Sequence, residues 1–151
     1  PTRNSRQNIS MQIRQFQPAD TDSVVALWHE AKLTRPWNDP ARDIERKLAE
    51  QPELFLVAED IADRSLIGSV MAGTDGHRGW LYYLAVAGVA RRRGVATALI
   101  AEAERLLEAR GCPKVMLMVR RDNAAVATMY EGLGYDEDEV LVLGKRLISD
   151  L

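Results

Sequence analysis

The pattern of hydrophobic and polar positions along this chain predicts strands and helices in an irregular order. Residues 11–16 alternate between the two classes, and several later runs are rich in branched or aromatic side chains, as strands are. The predicted strands cover residues 11–16, 54–58, 66–72, 80–86 and 114–119, with a final pair of strands over 135–148. Helices are predicted between these runs, so the class is α/β with a mixed sheet.

Four helices are predicted from apolar side chains spaced three and four residues apart. The first runs from about Pro18, and the second begins after Asp39-Pro40, an N-cap residue followed by proline. The third follows Gly94 and ends at Gly111, and the fourth covers residues 123–133.

The junction between the strand at 80–86 and the third helix carries the most specific signal in the chain. Three consecutive arginines lead into Gly94, and the helix then shows an apolar stripe of Val95, Leu99, Ala103, Leu106 and Leu107. The first amides of such a helix lack partners inside the helix and carry the positive end of its dipole, so a phosphate or pyrophosphate is expected there. An ordinary solvated basic turn is the alternative. The P-loop and dinucleotide-binding patterns do not fit, because the Gly-Lys-Ser/Thr of the first and two glycines of the second are missing.

Two motifs at this point resemble the GNAT superfamily of acetyl-coenzyme A-dependent N-acyltransferases. The turn at 91–96 is similar to the superfamily's Arg/Gln-x-x-Gly-x-Gly/Ala element after its motif strand. A second element begins at Asn123, carries Tyr130 and closes with Leu133-Gly134-Tyr135, similar to the pattern N-x-x-A-x-x-x-Y-x-x-x-G-F/Y. The resemblance covers about residues 11–147, and the loops at 35–40 and 75–79 resemble the bacterial YpeA-type acetyltransferases.

The resemblance implies a fold, a domain layout and a co-substrate. The fold would be a mixed, mostly antiparallel central sheet flanked by about four helices, in one N-acetyltransferase domain over residues 11–151. Residues 1–10 are polar and aperiodic, and we expect a disordered extension there. The co-substrate would be acetyl-CoA, with no metal. Its pantetheine arm would lie like an added strand along Leu84, Ala85 and Val86. The other implied contacts are Arg91, Arg92, Arg93, Gly94, Val95, Ala96, Thr97, Asn123 and Tyr130.

Tyr130 is the candidate general acid for the leaving thiolate. Asn123 and Tyr130 are seven residues apart, so on a helix they share a face with about 10 Å between them along the axis. One coenzyme could then touch Asn123 with its pantetheine arm and Tyr130 with its sulfur. A core aromatic is the alternative for Tyr130, and an ordinary helix N-cap is the alternative for Asn123.

The general base departs from the superfamily pattern. Related enzymes often carry a glutamate early on the motif strand or at the end of the next one, where this chain has Trp80 and Met118. Asp75 and His77 could act through water, although a plain polar hairpin turn explains them equally well. Deprotonating a lysine-like amine at pH 7 costs about 4.6 kcal/mol, against about 1.4 kcal/mol for an α-amine. The absence of a strong base therefore favours a peptide α-amine or another low-pKa small amine as acceptor.

The loop between the first two helices forms part of the acceptor pocket in the superfamily. By that resemblance, Trp37 could cover the substrate, Arg35 could bind a carboxylate or phosphate, and Asn38 lies beside them. A structural tryptophan that fixes the loop is the alternative.

Composition narrows the function classes. With 20 basic and 22 acidic residues and a net charge of −2, we expect no nucleic-acid or membrane partner, while a homodimer stays open. A single cysteine and no long apolar run favour a cytoplasmic protein. Two other function classes remain: a non-catalytic module that senses acyl-CoA, and an unrelated domain that binds phosphate esters.

Overall fold

The computed structural model describes residues 10–151, which form a five-stranded sheet flanked by four α-helices. The strands are β1 Met11–Gln15, β2 Phe55–Asp60, β3 Leu66–Thr74, β4 Gly79–Val86 and β5 Val115–Leu117. The helices are α1 Thr21–Glu30, α2 Pro40–Ala49, α3 Val95–Ala109 and α4 Ala124–Gly132. The strands lie in chain order across the sheet; β4 and β5 are parallel, and the other neighbours are antiparallel. The predicted mixed, mostly antiparallel sheet with four helices is confirmed.

Side chains at two helix starts supply the caps that the sequence indicates. The Asp39 carboxylate accepts hydrogen bonds from the amides of Ala41 at 2.9 Å and Arg42 at 3.3 Å, at the start of α2. The Asn123 side chain accepts from the Val126 amide at 3.3 Å, at the start of α4. These bonds satisfy amides that the helix itself leaves free.

Two adjacent residues of β3 place helices on opposite faces of the sheet. A Cβ on Gly68 would lie 2.7 Å from the Val95 side chain, so α3 packs directly against the backbone of β3 there. The hydroxyl of Ser69 accepts a 2.8 Å hydrogen bond from the indole of Trp28 in α1. Because successive residues of a strand point to opposite faces, α1 and α3 cover opposite sides of the sheet.

Strand β4 contains a bulge, and its parallel neighbour β5 pairs with only the first part of it. The register between β3 and β4 shifts between Ser69 and Met71, and opposite this point Tyr83 has a φ of 51°. The ring of Tyr83 stacks on that of Trp28, with 3.9 Å between centroids. Strand β5 pairs with residues 79–81 of β4 and no further. In the described chain, residues 82–86 therefore have no strand partner on that side.

The prediction of a final strand pair over residues 135–148 was wrong, and β5 is shorter than predicted. Residues 135–148 form no strand, and β5 covers Val115–Leu117 instead of 114–119. A strand needs a neighbouring edge to pair its backbone groups, and an edge of three residues offers few of them. The apolar alternation of this segment thus lacks a partner strand, and its side chains are exposed, with Leu141 at 81% and Leu143 at 90%.

Side-chain contacts attach the C-terminal segment to the rest of the chain instead. Asp138 forms an ion pair with Lys114 at 3.0 Å, and Asp150 forms one with Arg46 at 2.6 Å. At the other end, the predicted extension over residues 1–10 lies outside the described residues except for Ser10. Its carbonyl accepts a 3.0 Å hydrogen bond from the Ile61 amide.

Candidate active site

The arginine turn ends in an uncapped helix N-terminus. Gly94 has a φ of 80° and precedes α3, whose first turn holds no acidic residue and no side-chain cap. The first helical bond runs from the Ala98 amide to the Gly94 carbonyl at 3.0 Å, which leaves the amides of Val95, Ala96 and Thr97 without helical partners. A Cβ on Gly94 would meet no atom within 4 Å. The amides are therefore accessible to an anionic group.

The side chains of Arg91, Arg92 and Arg93 surround this turn and are exposed. None of them forms an ion pair within residues 10–151. Arg92 has a φ of 63° and Gly94 a φ of 80°, so two residues of the turn, separated by Arg93, are in the left-handed region. Positive charge and uncapped amides thus coincide at this turn.

The free edge of β4 leads to this turn. Leu84, Ala85 and Val86 lie between the bulge and the turn, on the part of β4 that β5 does not cover. Ala85 is buried, and its two neighbours are half-buried. Backbone donors and acceptors on this edge are available for an extended ligand chain.

Tyr130 lies near the C-terminal end of α4 and is 7% exposed. Burial raises the pKa of its hydroxyl to about 12. Its ring meets Tyr135 edge-on at 5.5 Å, and the Tyr135 hydroxyl donates to the Glu104 carboxylate at 2.9 Å. The Tyr130 ring is thus held by packing, and the raised pKa keeps its hydroxyl protonated at neutral pH.

Asp75 and His77 form the polar turn of the β3–β4 hairpin. One oxygen of the Asp75 carboxylate accepts hydrogen bonds from the amides of His77 at 2.8 Å and Arg78 at 2.7 Å. These bonds hold the pKa of Asp75 below its ordinary value, which weakens it as a base. Both side chains are exposed, and Asp75 also borders the groove described next. The geometry accounts for the turn and leaves the catalytic prediction for these residues open.

An open groove of about 550 Å³ lies between α2 and the β3–β4 hairpin, on the sheet face that α1 covers. Its lining includes Asp43, Lys47, Gln51, Trp80, Tyr82 and Tyr83. The Tyr83 hydroxyl donates to the Asp43 carboxylate at 2.5 Å, and Arg46 donates to the other oxygen of that carboxylate at 2.9 Å. Burial, together with the Asp43 carboxylate, raises the pKa of Tyr83 well above its usual range.

Sequence reasoning missed Asp43, Lys47 and Tyr83 as site candidates. On the sequence, Asp43 reads as an acidic residue of the first turn of α2, and Tyr83 as one aromatic residue of an apolar strand. The bulge that turns Tyr83 toward α2 depends on contacts between distant parts of the chain. The signal available in advance was the four-residue spacing of Asp43 and Lys47, which puts them on one helix face.

The loop between α1 and α2 lies beside the C-terminal segment. The Arg35 guanidinium donates to the backbone carbonyls of Lys32 and Thr34, both at 2.8 Å. Asn38 accepts from Arg146 at 2.8 Å. Trp37 is 47% exposed and borders a second groove of about 670 Å³, which residues 144–148 also line. Arg46 borders both grooves and thereby connects this loop to the first one.

Two classes of feature are absent from residues 10–151. No cluster of three or more histidine, cysteine, aspartate or glutamate side chains is arranged to hold a metal ion there. Within the same residues, no helix combines the length and apolar character needed to cross a membrane.

Comparison with known proteins identifies the family. Residues 22–135 match the acetyltransferase (GNAT) family, and the chain belongs to it. An acetyltransferase of Yersinia enterocolitica is 56% identical over 140 residues, which cover 93% of this chain and 98% of that protein. An acetyltransferase of Sodalis glossinidius is 56% identical over 141 residues, with the same two coverages. The chain is therefore an acetyltransferase, as the resemblance implies.

Solved structures show the same fold. Ard1 from Thermoplasma volcanium is 28% identical, with a TM-score of 0.72 over 83% of this chain and 82% of that one. The enzyme AAC(6')-Iy, in complex with the bisubstrate analogue CoA-S-monomethyl-acetylneamine, is 22% identical and has a TM-score of 0.73. That likeness covers 91% of this chain and 99% of the other, and it supports the fold alone.

Proposed function

We propose that this protein transfers the acetyl group of acetyl-CoA to an amine by direct attack in a ternary complex. One observation carries the proposal: within residues 10–151, the unpaired edge of β4 leads through the turn at 87–94 to the uncapped N-terminus of α3. Pantetheine is an extended chain with amide groups, and it ends in a pyrophosphate. The edge and the helix N-terminus match these two parts in order.

The coenzyme would use the backbone more than the side chains of this site. Leu84, Ala85 and Val86 would exchange hydrogen bonds with the pantetheine amides, and one amide of this stretch would polarise the thioester carbonyl. The pyrophosphate would sit on the amides of residues 92–97, with the three arginine side chains as secondary contacts. Asn123 would touch the pantetheine arm in addition to capping α4.

In the reaction, the neutral amine attacks the thioester carbon and the C–S bond breaks. The departing sulfur takes a proton from Tyr130, and the nitrogen releases one to solvent. A thiol has a pKa near 8.5, so donation from a phenol of pKa about 12 is uphill unless it accompanies the cleavage of the C–S bond. Tyr130 would therefore act in concert with departure of the thiolate.

The acceptor would enter through the groove beside α2, next to the bulge in β4. Asp75 borders this groove, and with His77 it would relay the amine proton through water. Asp43 lies closer to the bulge through its bond to Tyr83, and its carboxylate would attract a cationic amine. Trp37, Arg35 and Asn38 would contribute from the α1–α2 loop. A peptide α-amine or a small amine of low pKa fits this modest base.

Two measurements test the proposal. Calorimetric titration should show tighter binding of CoA than of ATP, because only CoA carries the pantetheine arm. Thiol release from acetyl-CoA should then rise when α-amine peptides or small amines are added. Equal affinity for CoA and ATP would contradict the pantetheine site. Binding of CoA without thiol release for any amine would contradict the transfer reaction and favour an acyl-CoA-sensing module.

A further inference from the structure

Lys47 is a mostly buried lysine whose ammonium group reaches the groove beside α2 and forms no ion pair within residues 10–151. It is 9% exposed and lines the groove beside α2. Its ammonium group lies over Gly73 of β3, where an added Cβ would come within 3.4 Å of Nζ. Burial lowers the pKa of Lys47, while the more distant carboxylates of Glu53 and Glu50 raise it. Glu53 pairs with Arg110 instead, and neither carboxylate forms an ion pair with Lys47 within residues 10–151.

Glu59 of β2 is a buried charge with a structural role, and it provides a comparison for Lys47. Glu59 is also 9% exposed, and its carboxylate accepts a 2.7 Å hydrogen bond from Arg14. Burying a charge without such a partner is unfavourable. Lys47 has no such partner within residues 10–151, and its ammonium is accessible from the groove, where an incoming anion would pair with it.

Charged groups lie at both ends of the groove: Asp43 with its partner Arg46 at one end and Lys47 at the other. Asp43 and Lys47 are four residues apart on α2, so they share a face and are offset by about 6 Å along the axis. Asp43 contacts Tyr83 at the bulge. Lys47 lies toward the hairpin end, where the Gln51 side chain bonds both backbone groups of Thr74 at 2.9 Å. A molecule that follows the groove meets the Asp43 carboxylate, paired with Arg46, beside the bulge and then the Lys47 ammonium.

We infer that the acceptor amine carries a carboxylate, which Lys47 binds while the amine lies at the bulge. This inference rests on the proposed acetyl transfer, and it specifies the acceptor class. An extended dipeptide spans about 7 Å, close to the offset between the two charged residues, whereas a free α-amino acid carries both groups on one carbon. A singly charged carboxylate also suits the groove better than a phosphate does, because three acidic residues and only two cations line it; these are Asp43, Glu50 and Asp75 against Arg46 and Lys47.

The experiment compares acceptors that differ only at the carboxylate. Thiol release is measured with glycylglycine and its C-terminal amide, and with 5-aminovalerate and pentylamine. We expect the wild-type protein to favour each carboxylate-bearing member about tenfold or more in kcat/KM, the scale of a charged hydrogen bond. Lys47→Met should abolish that preference by slowing the carboxylate-bearing acceptor alone. Lys32→Met, at an exposed lysine beyond α1, is the matched control and should keep the preference.

Stability separates this role from a structural one. Methionine has a similar shape without the charge, so Lys47→Met should unfold at the same temperature as the wild type or a higher one. The inference would be overturned if Lys47→Met had a lower melting temperature and lost kcat/KM equally for both acceptors of each pair. Equal use of both members by the wild type would overturn it too, while the proposed transfer would stand because thiol is released. Absence of thiol release with every amine would instead refute the transfer itself.

Discussion

The hydroxyl of Ser69 donates a 3.0 Å hydrogen bond to the carbonyl oxygen of Tyr83, at the bulge in β4. Ser69 is fully buried, and its oxygen accepts the indole N–H of Trp28 at 2.8 Å. Tyr83 has a φ of 51°, a conformation that costs a non-glycine residue about 1–2 kcal/mol. The serine therefore joins α1, β3 and β4 at the residue where β4 bulges.

Replacing Ser69 by alanine should destabilise the fold and weaken the coenzyme site together. The change leaves the Trp28 N–H and the Tyr83 carbonyl without their partner, and an unsatisfied buried group costs about 1–3 kcal/mol. Denaturant unfolding measures the stability, and titration with CoA measures the site. Ser65→Ala, at an exposed serine bonded to Asp63, is the control and should change neither. A Ser69→Ala variant that binds CoA normally would show that the bulge does not depend on this bond.

Most elements of the fold could be predicted because their signals are local. The Asp39 cap before Pro40 and the glycine after α3 are short-range features that set helix ends wherever they occur. The predicted pair at 135–148 failed because β-structure requires a partner edge, which a sequence does not show. The bulge at Tyr83 could not be predicted from the sequence for the same reason, because it depends on Ser69 and Trp28 from two other elements.

The same division applies to the candidate site. The turn at 91–96 and its helix were predictable, because a helix N-terminus creates an anion site by itself. The groove was not, because α2 and β4 contribute Asp43 and Tyr83 from positions 40 residues apart. Asp75 was a candidate base because it is a carboxylate near the motif strand. The structure shows that its hydrogen bonds shape a turn.

Adding a methyl group at Gly94 should weaken CoA binding, because the methyl group would obstruct the backbone amides on which the pyrophosphate would sit. Gly111 supplies a matched control at the other end of α3, with a φ of 82° against 80° and open space for a Cβ in both cases. Gly94→Ala and Gly111→Ala should therefore lose similar stability, since alanine is strained in both. Only the first should lose CoA affinity in a calorimetric titration. Equal affinities would indicate that the arginine side chains hold the phosphate.

Tyr130→Phe should lower kcat while leaving CoA affinity nearly unchanged, because the ring packing stays and the proton donor is lost. A decrease of about a hundredfold is the scale of one acid–base group. Since burial raises the pKa of Tyr130 to about 12, its donor form persists below that pH and is lost only above it. The wild-type kcat should therefore show no decline from this group between pH 7 and about pH 10.

Tyr135→Phe is the control for Tyr130, because it removes a neighbouring hydroxyl that bonds Glu104 and leaves the ring pair in place. It should keep most of the turnover. An unchanged kcat in Tyr130→Phe, measured under conditions where chemistry limits the rate, would reduce Tyr130 to a core residue.

The pH dependence of variants in the β3–β4 turn tests whether a base assists the reaction. If Asp75 or His77 accepts the amine proton through water, Asp75→Asn and His77→Gln should reduce kcat/KM most at low pH, where neutral amine is scarce. The defect should shrink as the pH approaches the pKa of the amine, which then arrives deprotonated. Because the pKa of Asp75 is already lowered, its carboxylate is ionised throughout this range, and its own titration does not contribute to the profile.

Asp43→Asn separates proton transfer from attraction of the amine. It removes the charge beside the bulge, so it should raise KM for a cationic acceptor more than it lowers kcat, at every pH below the pKa of the amine.

A defect in the turn variants that does not vary with pH would mean that the hydrogen bonds of Asp75 matter only for the shape of the hairpin. If the turn variants match the wild type at every pH, water alone removes the proton. An acceptor of low pKa then becomes necessary. Deprotonating an α-amine at pH 7 costs only about 1.4 kcal/mol, whereas deprotonating a lysine costs about 4.6 kcal/mol and would slow the reaction more than a thousandfold.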